Sequence, residues 1–302
     1  MPTLLVTGGA GFIGSHVAEA LIAKGHRVRV MDNLVSGRRE WVPKQVEFVE
    51  ADIADLDACR QAAKGCEGIF HMAAVSRVLP GFETILAYTR SNIIGTQNIL
   101  IAAHEQKVRK VIYSGSSSYY GDQPFPHLED ITPPKPVSFY ALTKQVGEDY
   151  CRMFDSAYNV PSVVLRYFNV YGPRQPQTGT YALVIGIFLK RHAMGEALLI
   201  NGDGTQRRDF VHVRDVVRAQ IMAYDSDVRG ATFNVGCGSN ISVKQLADMI
   251  SPKQEHRPSR PGDPQVTLAD ITRIQKILGW QPQISFQEGM DELVQLMRDG
   301  VE

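Results

Sequence analysis

Several features that would identify a partner or a compartment are absent from this sequence. Its 302 residues carry 32 basic and 32 acidic side chains, so nothing favours nucleic acid or an anionic membrane as a partner. No apolar run approaches the roughly 18 residues needed to cross a bilayer. The first residues, MPTLLVTGG, lack a basic segment, so we expect no signal peptide and a soluble, cytoplasmic protein.

Cysteine is scarce, and no C-x-x-C pair or neighbouring His pair accompanies it. The four cysteines are Cys59, Cys66, Cys151 and Cys237. This scatter favours reduced, mostly buried thiols and argues against a zinc site or a disulfide framework. We therefore expect no metal. Hydrophobic residues make up 44% and charged residues 21%, as in an ordinary globular protein with an ample core.

The N-terminal segment has the pattern of a dinucleotide-binding βαβ unit. A short apolar strand, Leu4–Thr7, enters the turn GGAGFIG, a helical pattern follows, and a second strand ends at Asp32. Gly8 permits the tight turn, while Gly11 lets the backbone approach a pyrophosphate and Gly14 lets the helix pack on the strand. Asp32 lies where an acid would bind the adenosine ribose diol. The alternative is a βαβ unit without a ligand.

The choice between NAD and NADP depends on three residues. Asp32 would repel a 2′-phosphate, which favours NAD. Arg38 and Arg39 are close enough in sequence to reach such a phosphate, or they belong to a solvated turn. We predict NAD.

Strands and helices alternate as far as Phe168, which predicts an α/β fold with a doubly wound, parallel, Rossmann-like sheet. We expect one long helix at about Thr84–His104 and a loop at Tyr171–Thr180. A smaller mixed α/β C-terminal lobe should follow. We predict that residues 1–168 with 209–235 form the NAD-binding domain, and that residues 169–208 with 236–302 form the substrate lobe. Ligands of such sheets lie beyond the carboxyl ends of the strands.

Tyr140 and Lys144 are the first candidates for chemistry, because a spacing of four puts both on one face of a helix. We expect the ammonium to lower the pKa of the phenol, as a phenolic base requires. A second, apolar stripe should pack into the core and leave the Tyr140 face away from the main packing surface. That stripe consists of Leu142, Val146, Tyr150 and Met153. The alternative is a surface pair on an ordinary amphipathic helix.

Taken together, the motifs resemble those of the extended short-chain dehydrogenase/reductase family, specifically its NAD-dependent sugar-nucleotide epimerases and dehydratases. The matching segments cover nearly the whole chain in the family's order. They are TGGAGFIG (7–14), DNL (32–34), DI (52–53), HMAA (71–74), NIIGT (92–96), Ser116 with Tyr120-Gly121, Tyr140 with Lys144, RYFNVYGP (166–173), QRRDF (206–210) and RPGD (260–263).

The resemblance implies a mechanism based on Ser116, Tyr140 and Lys144. Tyr140 would remove a sugar hydroxyl proton, Ser116 would share a short hydrogen bond with that oxygen, and Lys144 would also hold the nicotinamide ribose. Hydride would pass to NAD⁺, leaving a transient 4-keto sugar. Rotation of this intermediate and return of the hydride to its other face would invert the carbon.

The resemblance also implies binding residues. Those for the cofactor are Gly8, Gly11, Phe12, Ile13, Gly14, Asp32, Asn33, Ser36, Gly37, Asp52, Ile53, Ala73, Ala74, Asn92, Ser114, Tyr140, Lys144 and Tyr167. Those for the substrate are Ser116, Asn169, Arg208, Arg260, Asp263 and Thr267. Arginine suits a diphosphate because its planar fork pairs with two oxygens. Tyr120 is predicted to be structural.

Departures from the family pattern narrow the reaction. Similar dehydratases carry an Asp-Glu pair where this chain has Ser117 and Ser118, so elimination of water lacks its acid and base. Decarboxylase relatives place a Glu in the same loop. Thr267 stands where epimerases confined to unsubstituted UDP-hexoses place a bulky Tyr, and its smaller side chain would leave room for an N-acetyl group. Arg77 could meet a carboxylate or an extra phosphate, or lie in solvent.

The leading interpretation is a UDP-hexose or UDP-N-acetylhexosamine 4-epimerase that uses NAD. The alternatives are another sugar-nucleotide enzyme of the same superfamily, either a reductase or a dehydratase, and a non-catalytic NAD-binding protein. A homodimer is implied by the resemblance, with the helices near Thr84–His104 and Tyr140–Asn159 pairing with their symmetry mates.

Overall fold

The computed structural model describes residues 2–76, 82–177, 183–259 and 264–300. The strands are β1 (Thr3–Thr7), β2 (Arg27–Asp32), β3 (Glu47–Glu50), β4 (Cys66–His71), β5 (Lys110–Ser116), β6 (Ser162–Tyr167), β7 (Asn169–Tyr171), β8 (Leu198–Asn201), β9 (Arg207–Arg208), β10 (Phe210–His212), β11 (Ala231–Val235), β12 (Ile241–Ser242) and β13 (Gln254–Arg257). The α-helices are α1 (Phe12–Ala23), α2 (Leu56–Ala63), α3 (Phe82–Tyr88), α4 (Thr96–Glu105), α5 (Phe139–Tyr158), α6 (Val184–Ala193), α7 (Val213–Asp225), α8 (Val243–Ile250), α9 (Thr272–Leu278) and α10 (Phe286–Arg298).

A seven-stranded parallel sheet forms the larger part of the protein. Its strand order is β3-β2-β1-β4-β5-β6-β11, so the winding direction reverses between β1 and β4. This arrangement confirms the predicted doubly wound, Rossmann-like fold. The reversal opens a crevice at the carboxyl ends of these two strands, which is where such sheets bind ligands.

The sheet is buried on both faces, which explains why its strands are continuously apolar. Leu4, Leu5 and Val6 of β1 are all fully buried. Because successive side chains of a strand point to opposite faces, Leu4 and Val6 enter the core beneath α1 and α7, and Leu5 enters the core beneath α2 and α4.

The smaller lobe has a core of its own. Phe188 of α6, Leu198 of β8, Leu246 of α8 and Leu293 of α10 are buried together. Short pairs of strands complete this part: β8 with β13, and β9 with β12. This core agrees with a separate C-terminal lobe, whose boundaries at residues 168, 209 and 235 stay a prediction.

The predicted long helix at Thr84–His104 is interrupted. Helices α3 and α4 are joined by a π-helical segment, Thr89–Gly95, whose wider turns differ from the expected regular helix. The segment lets Asn92 turn inward, and Gly95 packs closely against Ile53, where a Cβ would lie 2.5 Å from the Ile53 Cδ1 atom. Wide turns of this kind often occur near functional sites. The predicted loop at Tyr171–Thr180 lies partly outside the described residues.

Helix α5 buries the face opposite to the one predicted. Its buried residues include Lys144, Gly147, Glu148 and Cys151, and the apolar Leu142 and Met153 are exposed. The expectation that the apolar stripe packs into the core was wrong for Leu142 and Met153, although Tyr150 packs against buried residues. Lys144 is buried and does not lie on a free face. The reason is that β6 supplies Arg166, which pairs with Glu148 and makes the polar face of the helix compatible with burial.

All four cysteines are free thiols, and three of them are buried. Among the described residues, no helix is both long enough and apolar enough to pass through a bilayer.

Candidate active site

A cavity of about 800 Å³ lies at the carboxyl ends of the central strands. It extends from the glycine turn after β1, past the ends of β4, β5 and β6, to residues of the smaller lobe. The predicted site residues that line it are Gly8, Gly11, Phe12, Ile13, Gly14, Asp32, Asn33, Ser36, Ile53, Ala73, Ala74, Ser114, Ser116, Tyr140, Lys144, Tyr167, Asn169, Arg208 and Thr267.

The glycine turn forms a cradle whose close backbone packing leaves no space for side chains at Gly8 and Gly14. Gly8 has a φ of +69°, and a Cβ there would lie 2.7 Å from the backbone nitrogen of Ala73. A Cβ at Gly14 would lie 2.2 Å from the carbonyl oxygen of Gly8, so helix α1 can start this close to β1 only without a side chain. The N-terminus of α1 therefore faces the cavity directly, with backbone N–H groups suited to a pyrophosphate.

Asp32 is held at the other end of this cradle. Its carboxylate accepts hydrogen bonds from the backbone nitrogens of Ala10 at 3.0 Å and Leu34 at 2.8 Å. Burial raises the pKa of the Asp32 carboxyl, and the two backbone donors oppose that rise. Gly37 packs against this carboxylate, since a Cβ there would lie 2.9 Å from the Asp32 Oδ1 atom.

Three residues predicted to contact the cofactor do not line the cavity. Gly37 supports Asp32. Asp52 accepts a hydrogen bond from the backbone nitrogen of Ala54 at 2.9 Å. Asn92 is 1% exposed, and its amide is used up by both backbone groups of Val75 and by Thr143. These three residues are therefore not part of the cavity lining, and the side chains of Asp52 and Asn92 already have hydrogen-bond partners.

Ser116, Tyr140 and Lys144 meet at the end of β5. Ser116 is the last residue of this strand, and Ser138 caps the N-terminus of α5 by accepting a hydrogen bond from the backbone nitrogen of Ala141 at 3.1 Å. The cap starts the helix so that its first turn presents Tyr140 to the cavity that Ser116 also lines.

Lys144 lies one turn further along and is 4% exposed. Its Nζ atom lies 4.3 Å from the centre of the Tyr113 ring. Burial lowers the pKa of Lys144 to about 8, and the negative charge of Glu148 opposes the decrease. Glu148 is itself held by Arg166, at 2.8 Å and 3.0 Å from the guanidinium nitrogens.

The electrostatics of Tyr140 differ from the expectation. Burial raises the pKa of the Tyr140 phenol, and the nearby Ser116 hydroxyl opposes that rise. The expected decrease caused by Lys144 is absent in the protein alone. The phenol thus needs further stabilisation of its anion, which a positively charged ligand in the same cavity would provide.

The substrate side of the cavity is formed by both parts of the protein. The hydroxyl of Thr267 donates to the Asn169 Oδ1 atom at 3.1 Å and accepts from the backbone nitrogen of Asp209 at 3.2 Å. Arg208 is 7% exposed and donates to the carbonyl of Arg207 at 2.9 Å. Three predicted residues lie outside the described residues: Arg77, Arg260 and Asp263.

Tyr120 has the structural role that was predicted for it. It is fully buried, stacks on His127, and donates a hydrogen bond to the Asn234 Oδ1 atom at 2.7 Å. Arg166 donates to its hydroxyl at 2.9 Å. This side chain therefore joins the ends of β5, β6 and β11 beneath the cavity.

Several lining residues were not predicted as contacts of NAD or of the substrate. Trp41 lines the cavity, as does Arg38, which the sequence offered only as a residue that could reach a 2′-phosphate; the Arg38 guanidinium lies 5.0 Å from the centre of the Trp41 ring. Ser117 and Ser118 were noted only for the carboxylates that they lack, yet both face the cavity. The signal for the serines was their position directly after Ser116, at the end of a strand.

The comparisons with known proteins agree with this geometry. The NAD dependent epimerase/dehydratase family matches residues 4–236. The chain belongs to this family. It is 38% identical over 309 residues to the UDP-glucose 4-epimerase of Mycolicibacterium smegmatis, with 98% of each chain covered.

Two solved structures share the whole architecture. The UDP-glucose 4-epimerase of Thermotoga maritima, solved with UDP-glucose, is 35% identical and has a TM-score of 0.94, with 99% of this chain and 100% of that chain covered. The UDP-N-acetylglucosamine 4-epimerase of Methanobrevibacter ruminantium, in complex with UDP-N-acetylmuramic acid, is 33% identical and has a TM-score of 0.93, with 99% of each chain covered. The extended short-chain dehydrogenase/reductase resemblance is thereby confirmed.

NAD is the cofactor of this enzyme family, and the residues that line the cavity of this protein fit it. Gly8 and Gly14 bring the turn and the start of α1 together at the cavity wall, where backbone N–H groups suit a pyrophosphate, and Asp32 lines the same cavity where a ribose diol would lie. Among the described residues, no group of side chains could hold a metal ion.

We predict that Glu148→Gln destabilises the protein and makes Lys144 easier to deprotonate. Arg166 would lose its buried partner, at a cost of about 3–5 kcal/mol in the free energy of unfolding. The pKa of Lys144 should fall below about 8, because the carboxylate that favours the ammonium is gone. Chemical denaturation measures the first effect. Carbon-13 NMR of the lysine Cε atoms, with the Lys144 signal assigned by Lys144→Arg, measures the second.

The matched control is Asp149→Asn, the next residue on α5. Asp149 forms an exposed ion pair with Arg152, so its loss should change the free energy of unfolding by less than about 1 kcal/mol and leave the Lys144 signal in place. Equal effects of the two substitutions would contradict a specific role of the buried pair.

Proposed function

We propose that this protein interconverts UDP-sugars that differ in configuration at C4. The observation that carries the proposal is the cluster of Ser116, Tyr140 and Lys144 beside the glycine turn, at the edge where the sheet binds ligands. When bound, NAD would supply a reversible hydride acceptor for the sugar carbon, so that a 4-keto sugar forms transiently. The names of the relatives support a UDP-hexose or UDP-N-acetylhexosamine as substrate.

The residues of the chain would move and hold the proton in this reaction. Tyr140 takes the proton of the C4 hydroxyl as the carbon is oxidised and returns it as the carbon is reduced. Ser116 holds the same oxygen by a hydrogen bond. Lys144, with a pKa of about 8, carries a positive charge over most of its population at neutral pH and favours the phenolate. Arg208 offers a guanidinium to the diphosphate.

The loop after β5 favours epimerisation over elimination of water. Ser117 and Ser118 face the cavity where similar dehydratases place a carboxylate pair, and serine hydroxyls do not act as a general acid and base at neutral pH. A change of configuration at C4 needs only the Tyr140 proton step. The alternative within the family, a reductase or dehydratase, would consume an external reductant or release water.

The size of Thr267 favours N-acetylated substrates as well. Its short side chain lines the cavity beside Asn169, and a bulkier residue would occupy the space needed by an acetamido group. We also propose a cytoplasmic location, in keeping with four free thiols.

The apolar side chains that α3 and α5 leave exposed support a homodimer. Helices α3 and α5 pack on one another and expose large apolar side chains to the surface. These side chains are Phe82, Leu86, Leu142 and Met153, with exposed fractions of 85%, 69%, 44% and 59%. We propose that this surface, which we call the helical face, meets its symmetry-related copy in an isologous contact.

The proposed epimerase activity can be tested directly. Purified protein with NAD should convert UDP-glucose and UDP-galactose into one another without net consumption of a reductant. Tyr140→Phe should lower kcat by about 10²–10⁴-fold because the proton acceptor is lost, and the protein should still bind NAD. Chromatography of the sugar nucleotides measures turnover, and chromatography of the heat-released cofactor measures binding. Full activity of the variant, or a product lighter by one water, would contradict the proposal.

The second prediction concerns substrate size. Thr267→Tyr should abolish turnover of UDP-N-acetylglucosamine and spare UDP-glucose, because the added ring fills the cavity near the sugar. Thr267→Ser is the control, since it keeps the hydroxyl and the space and should turn over both substrates. If the parent protein converts UDP-glucose but not UDP-N-acetylglucosamine, the assignment of N-acetylated substrates is wrong.

The third prediction concerns the helical face. Leu86→Glu combined with Met153→Glu should halve the mass measured by light scattering, because charged side chains would be buried in the contact. Met249→Glu on α8, another exposed apolar position, is the control and should leave the mass unchanged. A parent protein that is already monomeric would contradict the proposed dimer.

A further inference from the structure

Lys144 lies against the face of a buried aromatic ring. The Tyr113 side chain of β5 is 1% exposed, and the centre of its ring is 4.3 Å from the Lys144 Nζ atom. An ammonium within about 6 Å of a ring centre is attracted by the electron-rich face, most strongly where water is excluded. Lys144 is itself buried. The contact therefore has the distance and the burial of a strong cation–π interaction.

Helix α5 is shaped to admit this ring. Gly147 lies three residues after Lys144, on the same face of the helix, and a Cβ there would lie 2.0 Å from the Tyr113 hydroxyl oxygen. Glycine is less favourable than alanine inside a helix, and the close approach of the ring accounts for it here. The Tyr113 hydroxyl also donates to the Lys144 carbonyl at 3.4 Å. The ring is thus fixed beneath the turn that carries the ammonium.

The carboxylate nearest along α5 does not replace the ring. Glu148 lies one turn after Lys144, but its carboxylate is bound by the Arg166 guanidinium at 2.8 Å and 3.0 Å. Within the part of the chain that the structure describes, Lys144 forms no ion pair. Glu148 therefore supports the ammonium without touching it, whereas the Tyr113 ring is in contact with it.

The other titratable groups around Lys144 are neutral at neutral pH. Burial lowers the pKa of His71 on β4 to about 3, and the His71 ring lies 5.7 Å from that of Tyr113. Burial raises the pKa of the Cys151 thiol and of the Tyr140 phenol. It also raises the pKa of Tyr113, so this ring keeps its proton and the electron distribution of a neutral phenol.

We propose that Tyr113 is a positioning residue, whose ring face holds the Lys144 ammonium charged and in place at the cavity wall. This inference rests on the proposed function, because Lys144 acts there through its positive charge. Lys144 lines the cavity and Tyr113 does not, so Tyr113 acts through Lys144 and not on the substrate.

The first experiment titrates Lys144 without any turnover. The lysine Cε signals of the NAD-loaded protein are followed by carbon-13 NMR as the pH rises, with Lys144 assigned by Lys144→Arg. Tyr113→Phe keeps the ring face and should leave the midpoint in place. Trifluorophenylalanine and pentafluorophenylalanine at position 113 withdraw electrons from that face with little change of shape. The midpoint should fall stepwise, by about one pH unit in total, because the ammonium loses its partner.

Phe70 provides a matched control. It is a fully buried ring of the same sheet, but it packs against Tyr224 on the face opposite to Tyr113. Pentafluorophenylalanine at position 70 disturbs the core of the sheet in the same way. It should leave the Lys144 midpoint unchanged, since that ring does not face the ammonium.

The second experiment measures the same contact in turnover. Lys144 must be charged to favour the Tyr140 phenolate, so pentafluorophenylalanine at position 113 should move the alkaline limb of the kcat/KM profile with UDP-glucose to lower pH. Above the limb, kcat/KM should fall about tenfold relative to Tyr113→Phe. Below it the two proteins should agree, because Lys144 is charged in both. A general structural defect would lower kcat/KM at every pH.

Two results would overturn the proposal: a Lys144 midpoint that does not respond to fluorination at position 113, or an equal response to fluorination at position 70. The NMR titration needs no substrate, so it tests Tyr113 even if the UDP-sugar panel shows no epimerase activity. Active protein whose midpoint ignores fluorination would reject the role of Tyr113 and leave the proposed function intact.

Discussion

The buried ion pair between Glu148 and Arg166 is the interaction on which the site depends. Both residues are only 4% exposed, and each charge would be costly without the other. The pair lets α5 turn its polar face towards the sheet. Lys144 is carried into the interior on that face, and its charge is supported by the carboxylate one turn away.

The same constraint connects the site to the surface of the protein. Because the polar face of α5 is buried, the apolar side chains Leu142 and Met153 remain outside. A helix oriented by an internal charge pair thus leaves a surface that suits a second copy of the chain. On this view, the chemistry of the cavity and the proposed dimer follow from one helix orientation.

Burial of Tyr140 and Lys144 opposes the charged forms that the proposed reaction requires. It lowers the pKa of Lys144 and so disfavours the ammonium that would stabilise a Tyr140 phenolate. It also raises the pKa of Tyr140 and so disfavours the phenolate itself. The site compensates with polar and charged groups from several elements, Ser116 at the end of β5 and Glu148 on α5, and bound NAD⁺ would add a positive charge in the same cavity. Local sequence shows the phenol and the amine, but not the balance of these contributions.

Much of the architecture could be predicted from sequence. The apolar strands and the glycine turn indicated the doubly wound sheet, because side-chain period and the need for close backbone approach are local properties. The predicted helix at Thr84–His104 was right in extent, but its π-helical segment was not predicted, and in that segment Asn92 forms hydrogen bonds with the backbone of Val75, 17 residues earlier. The buried face of α5 was predicted wrongly for the same kind of reason, since Arg166 comes from another strand.

What the sequence determined by itself were the elements, their order and the residue types at the strand ends, because hydrophobic periodicity and glycine geometry act over a few residues. Only the tertiary structure decided which polar atoms were free. Asn92 and Asp52 turned out to be occupied by backbone partners, and Ser118 turned out to donate to Ser116. Hydrogen-bond satisfaction is a property of the assembled interior, where each donor finds an acceptor from another element.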